Sequence, residues 1–345
     1  MKREELELLR LTGQHLVKPV SAHTVVRDLC GLQAQFLSYA VHGLRIRSNT
    51  EELDGLVKSW TLRGTVHVFA EEDLPLFLHE NRVRKLRPQD TMESDCMIGK
   101  ERKRYFADLI VHSVQTGLDT REELKAACAA AGMTEREAES LFDPWGGTIR
   151  ALCEAGILCH KVQEKKAFAL CPTFVPMERE KAEVELARRY FTHYGPASVK
   201  DAAYFFGTTQ KQVKCWLNQL PVRTVQYGEK TLFFIPGEKL IVRDIPDCLF
   251  LAGFDPLMLG YDKRDNPFLP QEHIREIFNL AGIVMPAVLL HGSVVGRWRS
   301  TGKTLEVTLF ETIGEQERNT IKQCAEELWP DKQLVCKASV RCEKP

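Results

Sequence analysis

The most constraining feature of the chain is an order of elements that recurs. Ser198 is placed to cap a helix over Val199–Phe206, Gly207 turns the chain, and residues 211–220 form a second helix that Pro221 ends. Val222–Tyr227 and Thr231–Ile235, joined by Gly228-Glu229-Lys230, then pair as a hairpin. A helix, a tight turn, a second helix and a two-stranded wing amount to a winged-helix unit. A similar order precedes it. Residues 100–115 form a helix, and capping boxes start two more at Thr120 with Glu123 and at Thr134 with Glu137. A helix over 148–155 and short strands at 157–159 and 167–171 follow. Near the start, helices are expected over 4–16, from Ala22, and over Glu51–Trp60, then a strand over Leu62–Phe69. After Asp247 the pattern changes to apolar or alternating runs at 248–253, 285–290, 294–299 and 304–310, then a helix over 313–329 and a strand over 333–341. The expected class is α+β: three tandem winged-helix modules (1–98, 99–176, 177–246) and a small antiparallel β-barrel-like C-terminal domain (247–345).

Composition sets limits on function. The chain has 345 residues, 44% hydrophobic and 27% charged, as in ordinary folded proteins. No apolar run approaches the roughly 20 residues that span a bilayer. The charged start Met1-Lys2-Arg3-Glu4-Glu5 carries no apolar signal core, so a cytoplasmic protein is expected. The 11 cysteines include no Cys-x-x-Cys, so reduced thiols are expected and no metal centre. The 47 basic residues balance 47 acidic ones, but unevenly: from Arg82 to Arg104, eight bases face four acids. Zero net charge is therefore compatible with one basic surface.

Within the first module, Gly31-Leu32-Gln33-Ala34-Gln35-Phe36 stands out. On a continuous helix, residues two apart point about 200° from each other. In extended backbone they share a face. If Gln33 and Gln35 act on one point, the helix that begins at Ala22 must stop or distort near Gly31. On the strand after Leu62-Arg63-Gly64, Thr65, His67 and Phe69 share one face.

These residues carry a resemblance. Gly31-Leu32-Gln33-Ala34-Gln35 and Leu62-Arg63-Gly64-Thr65-Val66-His67 resemble the AlkZ-like family of winged-helix DNA glycosylases. So do Tyr194-Gly195-Pro196-Ala197-Ser198, the stretch from Gly253 to Arg264, and Gly292-Ser293-Val294-Val295-Gly296-Arg297-Trp298. The resemblance implies a C-shaped scaffold with double-stranded DNA on its concave face. It implies hydrolysis of the N-glycosidic bond of bulky alkylated purines, including unhooking of interstrand cross-links, by a monomer that needs no cofactor. It assigns catalysis to Gln33 and Gln35. A sister branch has Asp at the second position; here that residue is Gln35.

Neutral carboxamides suit such a substrate. A purine alkylated at N7 or N3 is already positively charged and leaves without a strong acid. What remains is to hold water and to stabilise an oxocarbenium-like centre, which amide dipoles can do. Arg63, Thr65 and His67 are expected to line the site, and Asp255 either to assist there or to fix a turn. Expected DNA contacts are Arg82, Arg84, Lys85, Arg102, Lys103, Lys263, Arg264, Arg297, Trp298 and Arg299, with Tyr261 beside them. His67 and Trp298 also read as packing residues, and the basic run as a solvated face. The alternative function is a non-catalytic winged-helix DNA-binding regulator or damage sensor. No Ser-His-Asp order or phosphate loop points to another hydrolase.

Overall fold

The structure, a computed structural model, describes residues 1–80, 82, 96–237 and 245–338. They form two compact units that interleave along the chain. The first comprises Met1–Leu32, Ser38–Glu52 and Ala187–Pro345; the second comprises Gln33–Leu37 and Leu53–Leu186. The residues of the expected module 1–98 are thus shared between both. Among the described residues no helix is long and apolar enough to cross a membrane, and the cysteines are free thiols.

The second unit is built on a five-stranded sheet. Its strands are β1 (Leu32–Gln33), β2 (Leu56–Trp60), β3 (Val66–Ala70), β4 (Leu158–His160) and β5 (Phe168–Leu170), in the order β1-β3-β2-β4-β5. The helices Lys100–Gln115, Arg121–Ala130, Glu135–Leu141 and Gly147–Glu154 bury Phe106, Ile110, Leu124, Leu141, Ile149 and Leu152 together with Leu158 and Phe168 of the sheet. Two of these helices start where the capping boxes place them: Thr120 accepts from the Glu123 N–H and Thr134 from the Glu137 N–H. Each box satisfies backbone donors that the first helical turn leaves open.

Two expectations fail here. Residues 51–60 do not form a helix. Gly55, at φ 70°, turns the chain into β2, of which only Trp60 is not fully buried. A strand buried on both faces shows no alternation by which to recognise it. The expected strand over 62–69 begins late, because Leu62–Gly64 is a tight 3-10 turn and β3 starts only at Val66. The helix Leu37–Ser48 leaves little trace in the sequence because its polar and apolar residues are weakly segregated: His42 and Arg47 are buried along with Ala40 and Leu44.

In the first unit, Ser198 and Thr209 cap the helices Val199–Phe206 and Gln210–Leu217, Gly207 between them is left-handed, and the hairpin β6 (Arg223–Tyr227) and β7 (Lys230–Phe234) follows. A second sheet contains β8 (Cys248–Leu251), β9 (Ala287–Leu290), β10 (Ser293–Thr301), β11 (Thr304–Leu309) and β12 (Gln333–Ala338), in the order β12-β11-β10-β9-β8. This corrects the antiparallel barrel. The sheet is open among the described residues, and β12 runs parallel to β11. A parallel pair needs a crossover, which the helix Glu315–Leu328 supplies. Its Ile321 and Ala325 pack with Phe250, Val288, Leu290, Leu305 and Val307, so a helix covers the apolar face that a barrel would have closed upon itself.

Candidate active site

The site is prepared by the way a helix ends. Ser21 accepts a hydrogen bond from the Thr24 N–H and starts the helix Ala22–Asp28. After Leu29, Cys30 (φ 56°) and Gly31 (φ 80°) are both left-handed, and the Gly31 N–H returns to the Val26 carbonyl at 2.7 Å. This closing bond satisfies an end carbonyl and stops the helix. The chain leaves extended. In the second unit, Ala34 donates to the Val66 carbonyl at 2.8 Å and is itself fully buried. Its neighbours Gln33 and Gln35 therefore share the opposite face, as alternation on a strand requires. Their side chains meet: Gln33 Nε2 donates to Gln35 Oε1 at 3.0 Å. Gln33 is only 8% exposed, whereas Gln35 and Phe36 are open to solvent.

The turn before β3 holds the third member. Gly64 N–H bonds the Thr61 carbonyl at 3.2 Å, and Thr65 N–H and Oγ1 both bond the Leu62 carbonyl at 3.1 Å. Within this turn Arg63 has φ 55° and ψ 15°, a left-handed conformation that a non-glycine residue rarely adopts. Gly64 follows at φ 66°. The guanidinium of Arg63 donates from Nη2 to Gln33 Oε1 at 3.3 Å. Arginine can only donate, so the acceptor must be the carboxamide oxygen, which leaves the Gln33 amide facing Gln35. The result is a directed chain, Arg63 to Gln33 to Gln35.

His67 lies beneath this turn. It is 3% exposed, with Nδ1 at 2.9 Å from Thr61 Oγ1 and 3.2 Å from the Thr65 carbonyl. Burial, reinforced by the Arg63 and Arg82 charges and only partly opposed by the Thr65 carbonyl, pushes its pKa down to about 3. It is a neutral support for the turn at physiological pH and not a proton donor. Arg82 donates to the Thr61 carbonyl at 2.7 Å and lies 3.7 Å from Glu154, so it too is committed to holding the turn. Arg150 bonds Glu154 at 3.1 Å and reaches Gly64, where an added Cβ would lie 2.7 Å from its Nη2. Nothing in the sequence marks Thr61, Arg150 and Glu154, because only tertiary packing brings them to the turn.

The remaining expected residues divide. Arg84 and Lys85 lie outside the described residues. Arg102 grips Glu137 through two hydrogen bonds, at 2.8 and 2.9 Å, and Lys103 follows it on the same helix. In the first unit, Asp255 is fully buried, and Arg47 holds it with two bonds of 3.0 and 2.7 Å. Asp255 Oδ1 also accepts the Leu257 N–H, so this carboxylate is scaffold. Tyr261 is fully buried as well: it accepts from Gln14 and donates to the Tyr194 carbonyl, under the Arg10 guanidinium at 3.8 Å. Neither can reach DNA. Trp298 is 7% exposed, donates to the Leu251 carbonyl and packs on His42 and Trp329, which excludes it as a stacking platform. Arg297 and Arg299 project from the same strand toward Glu276 and Glu306. Arg264 is exposed and Lys263 lies near the Phe278 ring. The fold also gathers His15, Asp28 and His193 in this unit, Asp28 taking hydrogen-bond or ion-pair contacts of 2.8 and 3.4 Å.

The arrangement is thus a guanidinium bonded to one of two neutral carboxamides, groups that offer hydrogen bonds and carry no acidic proton at neutral pH. Residues 26–329 match the profile of the family described as DNA glycosylase AlkZ-like, and the chain belongs to that family. It is similar to the interstrand DNA cross-link repair glycosylase of Streptomyces sahachiroi, at 27% identity over 321 residues, 84% of this chain and 85% of the relative. Its fold matches that of the Streptomyces sahachiroi DNA glycosylase AlkZ with a TM-score of 0.77, 22% identity, and coverage of 98% of this chain and 100% of the other.

Proposed function

We propose that this DNA glycosylase hydrolyses the N-glycosidic bond of purines alkylated at N7 or N3, including purines in interstrand cross-links, with water held by Gln33 and Gln35. The observation that carries the reading is the directed chain Arg63–Gln33–Gln35, whose last carboxamide is solvent-exposed. Arg63 fixes Gln33, Gln33 fixes Gln35, and the free lone pair of Gln35 Oε1 accepts a proton of the attacking water. The water oxygen forms the new bond to C1′ as the C1′–N bond breaks. The bonding pair moves onto the alkylated ring and cancels its positive charge, so the base leaves neutral. The proton lost from the water passes to solvent, since neither glutamine can hold it.

This chemistry makes the enzyme selective by default. A neutral, undamaged purine would need protonation to leave, and among the described residues the groups bonded to Gln33 supply no acid, while the nearby His67 is buried and neutral. The helix, turn, helix and hairpin order of residues 199–234 supports the winged-helix reading of that segment, and winged helices commonly address DNA.

Duplex DNA carrying 7-methylguanine, and a nitrogen-mustard cross-linked duplex, test the proposal. Release of the modified base by wild type and its loss in Gln33→Ala and Gln35→Ala is the expected result. Tight binding with no release from either substrate overturns it.

A further inference from the structure

We propose that His15, Asp28 and His193 form a binding site for a divalent transition-metal ion, best matched by zinc, that ties together three helix ends of the first unit. The proposal does not rest on the glycosylase reading. The ligand atoms of the three residues lie within 4.8 Å of one another, and the side chains are partly exposed, so an ion can enter from solvent.

Three separate stretches of chain meet here. The helix Arg3–Gly13 is closed by a bond from the Leu16 N–H to the Leu11 carbonyl at 2.9 Å, and His15 stands in that turn at φ 58°. Left-handed backbone is strained for a histidine, and here it brings His15 Nε2 to 2.8 Å from Asp28 Oδ2. Asp28 is the last residue of the helix Ala22–Asp28, and His193 the last of the helix Arg179–His193. Gly13 lets two of these ends touch, since a Cβ there would lie 2.5 Å from the His193 carbonyl oxygen. Three helix C-termini, the negative ends of their dipoles, thus gather at the cluster and favour a cation. The charges of Arg27 and Arg188 also act on it and limit the affinity.

The hydrogen bonds select the ligand atoms. His193 Nδ1 lies 3.2 Å from the Gly13 carbonyl, which can only accept, so Nδ1 carries a proton and Nε2 is the ligating nitrogen. An outer bond of this kind is how metal-bound histidines are held. His193 Nε2 lies 3.4 Å from Asp28 Oδ1. A charge-assisted N–H···O bond is shorter, about 2.7–2.9 Å. Two ligand atoms on a tetrahedral ion with bonds of about 2.0–2.1 Å stand about 3.4 Å apart. The shorter His15 contact is a hydrogen bond. The ion takes the place of its proton, the His15 ring moves back by about 0.6 Å, and the neutral ring then carries its proton on Nδ1. Two nitrogens and one carboxylate oxygen suit zinc, whereas magnesium and calcium take oxygen ligands; the fourth position is left to water.

Zinc chloride titrated into protein stripped of metal by a chelator, read by calorimetry and by the thermal midpoint, tests the inference. Wild type is expected to take up one zinc ion and to gain about 5 °C at a hundredfold excess over Kd. Cobalt chloride should give the visible absorption of a tetrahedral ion with no thiolate charge-transfer band. His15→Asn, which keeps a residue tolerant of left-handed backbone, Asp28→Asn and His193→Gln should each lose the uptake and the shift. Glu311→Gln, in the other group of candidate ligands among the described residues, should keep both. A readout that needs no variant is protection of His15 and His193 by zinc against diethyl pyrocarbonate, followed by peptide mass. No uptake by wild type, uptake undiminished in His15→Asn and His193→Gln, no protection of the two histidines, or a cobalt–thiolate band from the bound ion overturns the inference. None of these readings depends on base release, so failure of the glycosylase reading leaves them intact.

Discussion

Gln33-Ala34-Gln35 and Gly253-Phe254-Asp255 are both short segments that carry polar side chains beside left-handed backbone, at Gly31 and at Phe254. Their fates differ. In the first, a buried carboxamide is held by Arg63 and passes the hydrogen bond to an exposed one. In the second, Asp255 has both oxygens occupied by Arg47 and an N–H, with no solvent access. A charged residue in a distinctive motif is thus not thereby a reactive one. The difference lies in what remains unsatisfied: the first segment ends in a group that can still bind something.

The largest expected effect breaks the second segment. Asp255→Ala leaves the Arg47 charge buried and unpaired, at a cost of about 3–5 kcal/mol in urea unfolding. Arg47→Met combined with Asp255→Leu should recover much of this, because apolar replacements of buried ion pairs are often neutral. If Asp255→Ala instead kept full stability, the contrast between the segments would collapse.

Gln35→Ala should do the reverse, lowering single-turnover base release about a hundredfold or more, with a thermal midpoint close to wild type. An unfolded Gln35→Ala protein would mean that this segment too is scaffold.

Arg63 sharpens the contrast. Arg63→Gly and Arg63→Ala should lose activity equally. The alanine variant should be less stable by about 1 kcal/mol, because only glycine adopts φ near 55° without strain. Equal stability of the two would remove the argument for backbone strain at the turn.

Acid should weaken both units. Burial pushes His67 and His160 of the second unit down to about 3 and His42 of the first to about 4, from an ordinary 6.5. Between those values the unfolded chain binds more protons than the folded one. Stability is therefore full above pH 6.5 and falls as pH drops through the window, by about 1.4 kcal/mol per pH unit for each histidine. His160 lies between the Trp60 and Phe168 rings with neither ring nitrogen hydrogen-bonded among the described residues. His160→Phe should flatten the acid limb of the stability curve, and an unchanged limb would refute its assignment as a buried neutral group. Smallest of all, Arg299→Ala breaks an exposed pair with Glu306, which Lys337 still holds, and should leave the urea midpoint where it is in wild type.

Much of the local structure was legible in the amino acids. The capping boxes at Thr120 and Thr134, the cap at Ser198 and the halt near Gly31 follow from hydrogen bonds made within a few residues. The strand β2 was hidden because burial on both faces erases alternation. The parallel β12 was hidden because the direction of a strand depends on the crossover before it. Arg82, read as a DNA contact, proved to serve the Thr61 carbonyl, a partner 21 residues away.

The sequence by itself determined that two neutral carboxamides stand two residues apart just after a glycine, with no ionisable group between them. Only the tertiary structure decided that Arg63 holds them, that His67 is neutral, and that Asp255, Tyr261 and Trp298 are interior supports. Side-chain type and helix caps are local properties. Burial, and the choice of hydrogen-bond partner under burial, depend on residues far away in the chain.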